Sequence, residues 1–124
     1  RAATWREDRP NVRSDWLAGK SYDTFFPVGP LFLPSAFVPE YRDLRLRLWV
    51  NGEMQQDGVA NDMIFSREEQ IDYLSHMLTL ESGDLIATGT PAGVGQGKGA
   101  YLSPDDVMEA ECGPMGRQRN RVRL

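Results

Sequence analysis

The sequence contains one cysteine and one histidine in 124 residues, and each scarcity argues against a class of protein. With Cys112 alone the chain forms no internal disulfide, so packing must supply its stability, as a reducing cytoplasm permits. We interpret Cys112 as an inert, partly buried thiol. His76 lies near the end of a predicted helix, and the sequence offers no elbow motif for a Ser/His/Asp nucleophile. A catalytic His76 is therefore the less favoured alternative.

Long apolar runs and an excess of positive charge are also missing. No stretch approaches the roughly 18 consecutive apolar residues of a membrane span. Eighteen acidic and fourteen basic residues give a net charge of −4, which disfavours unspecific attraction to nucleic acid. We expect a cytoplasmic protein that binds a small molecule, with no nucleic-acid or membrane partner. Because the first residue is Arg1 rather than methionine, we also expect sequence upstream.

Turn-forming residues are abundant, with twelve glycines and eight prolines between short apolar runs. This pattern favours a β-rich domain. The clearest strand covers residues 44–50, where four apolar side chains share one face and Arg45 and Arg47 the other. Asn51-Gly52 accepts the positive φ angles of a tight turn, so residues 53–56 are predicted to return antiparallel.

A capping box, Ser66 with Glu69, predicts the start of a helix that runs to about Leu78. Its apolar residues fall on one face, which predicts packing against the sheet: Ile71, Leu74 and Leu78. A short strand is predicted at residues 85–87, leading into a loop with five glycines between Gly89 and Gly99. Strands at 107–112 and 117–124 complete a chain that reads as one unit.

Two charged patterns on the last strands have alternative interpretations. Glu109 and Glu111 are two residues apart, a spacing at which carboxylates can share a cation. Arginines alternate along the final strand and could meet a phosphate backbone or an acidic partner: Arg117, Arg119, Arg121 and Arg123. A solvated strand face is the favoured interpretation of both. Neither Gly-Lys pair has the preceding glycine that a phosphate-binding loop requires.

Three ordered segments carry a resemblance to a known family. They are residues 19–25 (Gly-Lys-Ser-Tyr-Asp-Thr-Phe) with Gly29-Pro30, residues 46–57 with the Asn-Gly turn, and residues 87–95 (Ala-Thr-Gly-Thr-Pro-Ala-Gly-Val-Gly). Their order and spacing resemble the fumarylacetoacetate hydrolase family. The resemblance implies an α+β, mostly β fold, a β-roll of mixed sheets with a few short helices. It also implies a homodimer, in which residues 1–124 form the carboxy-terminal part of the catalytic domain.

The resemblance further implies a chemistry. Family members use Mg²⁺ or Mn²⁺ to bind a 1,3-diketo or 2-oxo acid and to stabilise an enolate, which serves hydrolysis, isomerisation or decarboxylation alike. We expect a hydrolase, with the isomerase and the decarboxylase as alternatives. Lys20 and Arg1 match catalytic positions, Thr24 a weak or water-mediated metal contact, and Thr90 with Gly89 a substrate contact. The alternative for Lys20 is an exposed surface lysine. The alternative for Thr24 and Thr90 is a hydroxyl with a purely structural role in a turn.

The sequence departs from the family pattern at its start. The two glutamates and the aspartate that hold the metal in the family are expected to precede Arg1. Thr4 stands where a glutamine is frequent, which puts that substrate contact in doubt. A second hypothesis follows, in which the chain is a non-catalytic scaffold half that needs a partner chain and exposes apolar strand edges.

Overall fold

The chain is organised around four strands, seen in a computed structural model that describes residues 16–38 and 40–123. The strands are β1 (Arg45–Val50), β2 (Glu53–Val59), β3 (Val107–Cys112) and β4 (Arg117–Arg121). They form one antiparallel sheet in the order β2-β1-β3-β4. Three short helices accompany the sheet: α1 (Trp16–Lys20), α2 (Arg67–Ser75) and α3 (Gly95–Lys98). The β-rich α+β prediction is confirmed.

The hairpin of β1 and β2 has the predicted turn. Asn51 has φ 51° and Gly52 has φ 82°, the left-handed conformations that this dipeptide accepts. β2 continues to Val59, beyond the predicted residue 56. The pairing is irregular between Leu48 and Trp49, because Leu48 pairs with Gln56 while Trp49 pairs with Met54. This β-bulge inserts Gln55 as an extra residue in β2.

Helix α2 begins as predicted and ends earlier. The Ser66 hydroxyl accepts from the Glu69 amide, and the Glu69 carboxylate accepts from the Ser66 amide, which completes the capping box. The helix ends at Ser75, so Leu78 lies beyond it. Ile71 remains 43% exposed and Leu78 49% exposed. The prediction that this stripe is buried against the sheet is therefore wrong for the described residues.

The strand predictions for the second half of the chain have different outcomes. Residues 85–87 form no strand, so that prediction is wrong: no described strand supplies them with a hydrogen-bonded partner. The strand at Val107–Cys112 is confirmed. The final strand is confirmed in β4 but ends at Arg121, and Leu124 lies outside the described residues. Local pattern predicted the paired strands and failed for the unpaired segment.

Apolar surface is widely exposed in the described part of the chain. Among residues 17, 19–38 and 40–123 no apolar side chain is buried, and Ile64 and Phe32 are 91% and 85% exposed. Apolar surface on this scale is typical of a surface that another polypeptide covers. Cys112 is partly buried, as predicted, and burial raises the pKa of its thiol, which disfavours the reactive thiolate. None of the described helices is long and apolar enough to cross a membrane.

Candidate functional site

A groove of about 910 Å³ lies beside β2, a volume that suits a small molecule. One wall is apolar and comes from β1 and the segment after β2, with Leu46, Met63, Ile64 and Phe65. The other wall is the loop of residues 88–92, which contains both sequence-predicted substrate contacts, Gly89 and Thr90. The groove therefore faces apolar carbon on one side and hydroxyl and backbone groups on the other.

Gln56 connects this loop to the sheet. Its side-chain Nε2 donates to Thr90 Oγ1 at 2.9 Å and to the Pro91 carbonyl at 2.6 Å, and the Ala92 carbonyl lies at 3.5 Å. Among the described residues Gln56 is the single buried polar side chain, with 9% of its surface exposed. A buried amide with satisfied donors holds its partners in one arrangement.

Close packing at two glycines brings the loop onto β2. A Cβ at Gly58 would lie 2.6 Å from Pro91 Cβ. A Cβ at Gly93, where φ is +107°, would overlap the Gln55 carbonyl oxygen. Any larger residue at either position would push the loop off the strand, and at Gly93 the backbone conformation also favours glycine. The sequence Gly-Thr-Pro-Ala-Gly therefore fits closely against this one strand.

The segment with the two other predicted residues contacts the opposite edge of the sheet through Gly29. Lys20 is the last residue of α1, and Thr24 follows in a turn with φ +70°. The segment continues to Gly29, whose carbonyl accepts from Gln118 Nε2 on β4 at 2.7 Å. Neither Lys20 nor Thr24 is among the described residues that line the groove. Their roles stay predictions, as do those of Gly89 and Thr90. Arg1 and Thr4 lie outside the described residues.

No group of three or more His, Cys, Asp or Glu side chains capable of holding a metal occurs within residues 16–38 and 40–123. The described residues therefore do not by themselves supply the ligands for a divalent cation. Of the paired acids on β3, Glu111 is engaged with arginines, since Arg47 Nη1 lies 3.1 Å and Arg117 Nη2 2.9 Å from its oxygens. Arg117 lowers the pKa of Glu111 most, with Arg47 contributing. This pairing favours the structural interpretation of Glu111.

The alternating arginines and His76 are also involved in local contacts. Arg117 pairs with Glu111 and stacks over the Trp49 ring at 4.3 Å, and Arg121 lies 3.8 Å from Asp105. These acidic neighbours weaken the hypothesis of an anion-binding face. His76 caps the end of α2, where its Nδ1 lies 2.8 Å from the Asp72 carbonyl oxygen. Its position agrees with a helix-end role.

A polar cluster fixes α2 beside the groove. The Tyr41 hydroxyl donates to Glu68 Oε2 at 2.7 Å, and the Arg67 guanidinium lies 4.0 Å above the Tyr41 ring while donating to Glu68 Oε1. The Tyr41 hydrogen bond, with help from Arg67, lowers the pKa of Glu68 to about 2. Tyr41 and Arg67 also line the groove. The cluster connects the turn before β1 to the helix after β2.

Proteins with similar sequences identify the family of this chain. The sequence model of the fumarylacetoacetate (FAA) hydrolase C-terminal domain matches residues 1–123. The chain belongs to the fumarylacetoacetate hydrolase family. The resemblance noted from three segments is thereby confirmed over nearly the whole chain.

Two relatives show the range of activities in this family. The chain is 44% identical over 112 residues to 2,4-didehydro-3-deoxy-L-rhamnonate hydrolase from Sphingomonas sp. (strain SKA58), covering 88% of this chain and 39% of the relative. It is 43% identical over 117 residues to oxaloacetate tautomerase YisK from Bacillus subtilis, covering 93% and 39%. The chain thus spans about two-fifths of the length of these relatives. Both are named as enzymes, one a hydrolase and one a tautomerase.

A solved structure shares the fold. Fumarylpyruvate hydrolase from Pseudomonas aeruginosa, in complex with Mn²⁺ and pyruvate, is 31% identical with a TM-score of 0.81, covering 97% of this chain and 49% of that one. The predicted fold class is confirmed. That enzyme binds a divalent metal together with a 2-oxo acid.

Two glutamines that hold the segments with the predicted site residues were missed by the sequence analysis: Gln56 and Gln118. Each is a polar residue on a strand, and nothing in local periodicity separates a glutamine that holds a loop from one that faces water. What the two glutamines share is visible in the sheet register, which places both on one face with Leu48, and that register is not readable from the sequence.

Proposed function

We propose that the protein is a metal-dependent hydrolase that cleaves a carbon-carbon bond in a 1,3-diketo or 2-oxo acid. The observation that carries this proposal is the groove wall at Gly89 and Thr90, held against β2 by Gln56. A positioned hydroxyl and nearby backbone amides suit the carboxylate or carbonyl oxygens of such an acid. The names of a hydrolase relative and of a pyruvate-bound neighbour support the substrate class.

The cofactor of the proposed enzyme is Mg²⁺ or Mn²⁺. Support comes from the Mn²⁺ in the Pseudomonas enzyme. The carboxylates that hold the cation are proposed to lie outside the described residues, which contain no suitable cluster. When bound, such a cation supplies Lewis acidity for an enolate. Lys20 and Arg1 are proposed as catalytic cations, and Thr24 as a weak or water-mediated contact to the metal site.

The test uses the intact protein with Mn²⁺ or Mg²⁺ and an acylpyruvate, following pyruvate release. We expect pyruvate formation that a chelator abolishes. Thr90→Val should raise KM by roughly 10- to 100-fold, since one hydrogen bond to a charged group is lost, whereas Thr90→Ser should stay near wild type. Absence of pyruvate release from a set of acylpyruvates would contradict the hydrolase. An equal effect of Val and Ser would contradict the hydroxyl contact.

A second candidate is keto-enol tautomerisation of a 2-oxo acid such as oxaloacetate. The 43% identity to a tautomerase favours it. The same protein, given freshly dissolved enol oxaloacetate, would accelerate the decay of enol absorbance without forming pyruvate. If the protein accelerates this decay and cleaves no acylpyruvate, the result supports the tautomerase and contradicts the hydrolase.

We also propose that the enzyme is a cytoplasmic homodimer. Exposed apolar side chains outside the groove, among them Leu31 and Phe32, support a covering partner surface. Light scattering of the intact protein should give twice the chain mass, whereas a stable monomer would reject the dimer. The scaffold hypothesis predicts no heat on Mn²⁺ titration of the intact protein, and the enzyme predicts tight binding.

A further inference from the structure

Gln56 and Gln118 occupy the two ends of one row across the sheet. Gln56 pairs with Leu48, Leu48 pairs with Ala110, and Ala110 pairs with Gln118. Directly paired residues point to the same face of an antiparallel sheet. We call these four residues the glutamine row. Its two ends contact the two segments that contain the predicted site residues, since Gln56 reaches residues 90–92 and Gln118 reaches Gly29.

The hydrogen-bond partners of Gln56 determine which way its amide faces. Two of the neighbouring atoms are the carbonyl oxygens of Pro91 and Ala92, which can only accept. The amide nitrogen, rather than its oxygen, must therefore face the loop. Its two hydrogens go to the shorter contacts, the Pro91 carbonyl at 2.6 Å and Thr90 Oγ1 at 2.9 Å.

The orientation of Gln56 has a consequence for Thr90. A hydroxyl has one hydrogen to donate and accepts through lone pairs, and at Thr90 one lone pair is taken by Gln56. The Thr90 hydrogen must then point away from Gln56, and Thr90 is an exposed residue that lines the groove. We propose that Gln56 is a positioning residue that makes Thr90 a hydrogen-bond donor towards the ligand in the groove.

The surroundings of Gln56 keep this arrangement in place. The side chain is 9% exposed, so water does not compete for its amide. Gly58 and Gly93 allow the loop to approach β2 closely enough for the hydrogen bonds to form. The bulge at Gln55 places Gln56 opposite Leu48 and so on this face. A ligand atom that only accepts hydrogen bonds, such as a carboxylate oxygen, is the partner that a donor of fixed direction selects.

The inference deepens the proposed function, because its ligand is the proposed 2-oxo acid. The probe is pyruvate, titrated into the intact protein with Mn²⁺. Gln56→Met keeps the length of the side chain and removes both donors, so pyruvate affinity should fall by roughly 10-fold. Because the two residues act through one contact, Gln56→Met should have little further effect in a Thr90→Val background. Additive losses in the double variant would overturn the coupling.

The Gln56→Glu variant tests the role of Gln56 through the pH dependence of pyruvate affinity, which a purely structural role would not change. A carboxylate in this position accepts the Thr90 hydrogen and turns it from the groove, whereas a protonated carboxyl has one hydrogen that it can donate to Thr90 Oγ1. Affinity relative to wild type should therefore be low at neutral pH and recover as pH falls. A loss that is the same at every pH would show that Gln56 only fills space.

Gln118→Met is the matched control, since Gln118 lies in the same row and donates to a loop carbonyl but not to Thr90. Its effect should add to that of Thr90→Val, and strong coupling between them would reject the specific role of Gln56. If wild type binds no pyruvate, the proposed function fails, and the Gln56–Thr90 pair is tested by a double-mutant cycle of unfolding free energies without ligand. Additivity there would overturn the pairing itself.

Discussion

Two neighbouring rows of the sheet use polar side chains in different ways. The glutamine row directs its end side chains to the loops outside the sheet. The adjacent row lies on the opposite face and consists of Asp57, Arg47, Glu111 and Arg117, which we call the charged row. Its contacts stay within the sheet, with Arg47 placed between Asp57 at 3.6 Å and Glu111 at 3.1 Å.

The two rows therefore have different roles: the charged row contributes to the stability of the sheet, and the glutamine row to the geometry of the groove. The charged row is partly exposed to solvent, and ion pairs of this kind contribute little each because water competes and side chains lose freedom. The glutamine row makes only a few hydrogen bonds, yet Gln56 is buried and fixes a segment of the groove wall. We therefore expect changes near the glutamine row to alter the groove, and changes in the charged row to alter the sheet modestly.

The largest expected effect is at Gly93, which lies where the loop meets β2. Gly93→Ala adds a Cβ that overlaps the Gln55 carbonyl at a φ of +107°. Gly89→Ala is the control, because its φ is +111° but its added Cβ meets nothing within 4 Å. The strain alone costs about 1–2 kcal/mol, and we expect Gly93→Ala to cost at least about 1 kcal/mol more. Urea unfolding measures both; equal losses would contradict the close packing.

A smaller effect is expected from Glu111→Gln in the charged row. The change removes a carboxylate that accepts from Arg47 and Arg117, so the free energy of unfolding should fall, by less than in Gly93→Ala. Pyruvate affinity should stay close to wild type. Glu109→Gln is the control, since within the described part of the chain no ion pair involves Glu109. Loss of pyruvate binding in Glu111→Gln would remove the distinction between the rows.

The smallest effect concerns acid stability at Glu68, outside both rows. The Tyr41 hydrogen bond lowers the folded-state pKa of Glu68 from 4.5 to about 2. A lowered pKa stabilises the folded state above pH 4.5, and this contribution disappears as pH falls through about 2. Glu68→Gln should therefore be less stable than wild type near neutral pH and converge with it in acid. Glu53→Gln controls for loss of one surface charge, and a gap that is constant with pH would contradict the assignment.

Features within a few residues of one another were predictable from the sequence. The Asn51-Gly52 turn and the Ser66 capping box satisfy backbone groups locally, so the sequence is enough to place them. Residues 85–87 show the limit of this reasoning. Their apolar run is compatible with a strand, but a strand requires a partner, and the partner depends on the rest of the fold.

The candidate site was predictable only in part. The glycine loop was recognisable because its glycines have no other local explanation, and Thr90 does line the groove. The absence of Lys20 and Thr24 from the described lining of that groove was not recognisable. The contacts of the two segments depend on strand order, since Gln118 on β4 contacts Gly29 while Gln56 on β2 holds the glycine loop, with two strands between.

The sequence by itself determined the family, the hairpin turn and the glycine loop, because each is encoded in contiguous residues. Tertiary structure alone decided which face each β2 residue occupies. A regular two-residue hairpin would pair Leu48 with Gln55, whereas the bulge pairs it with Gln56. The same one-residue shift places Asp57 opposite Arg47. Strand periodicity is two, so a single inserted residue exchanges the faces, and only the packed sheet shows where the insertion lies.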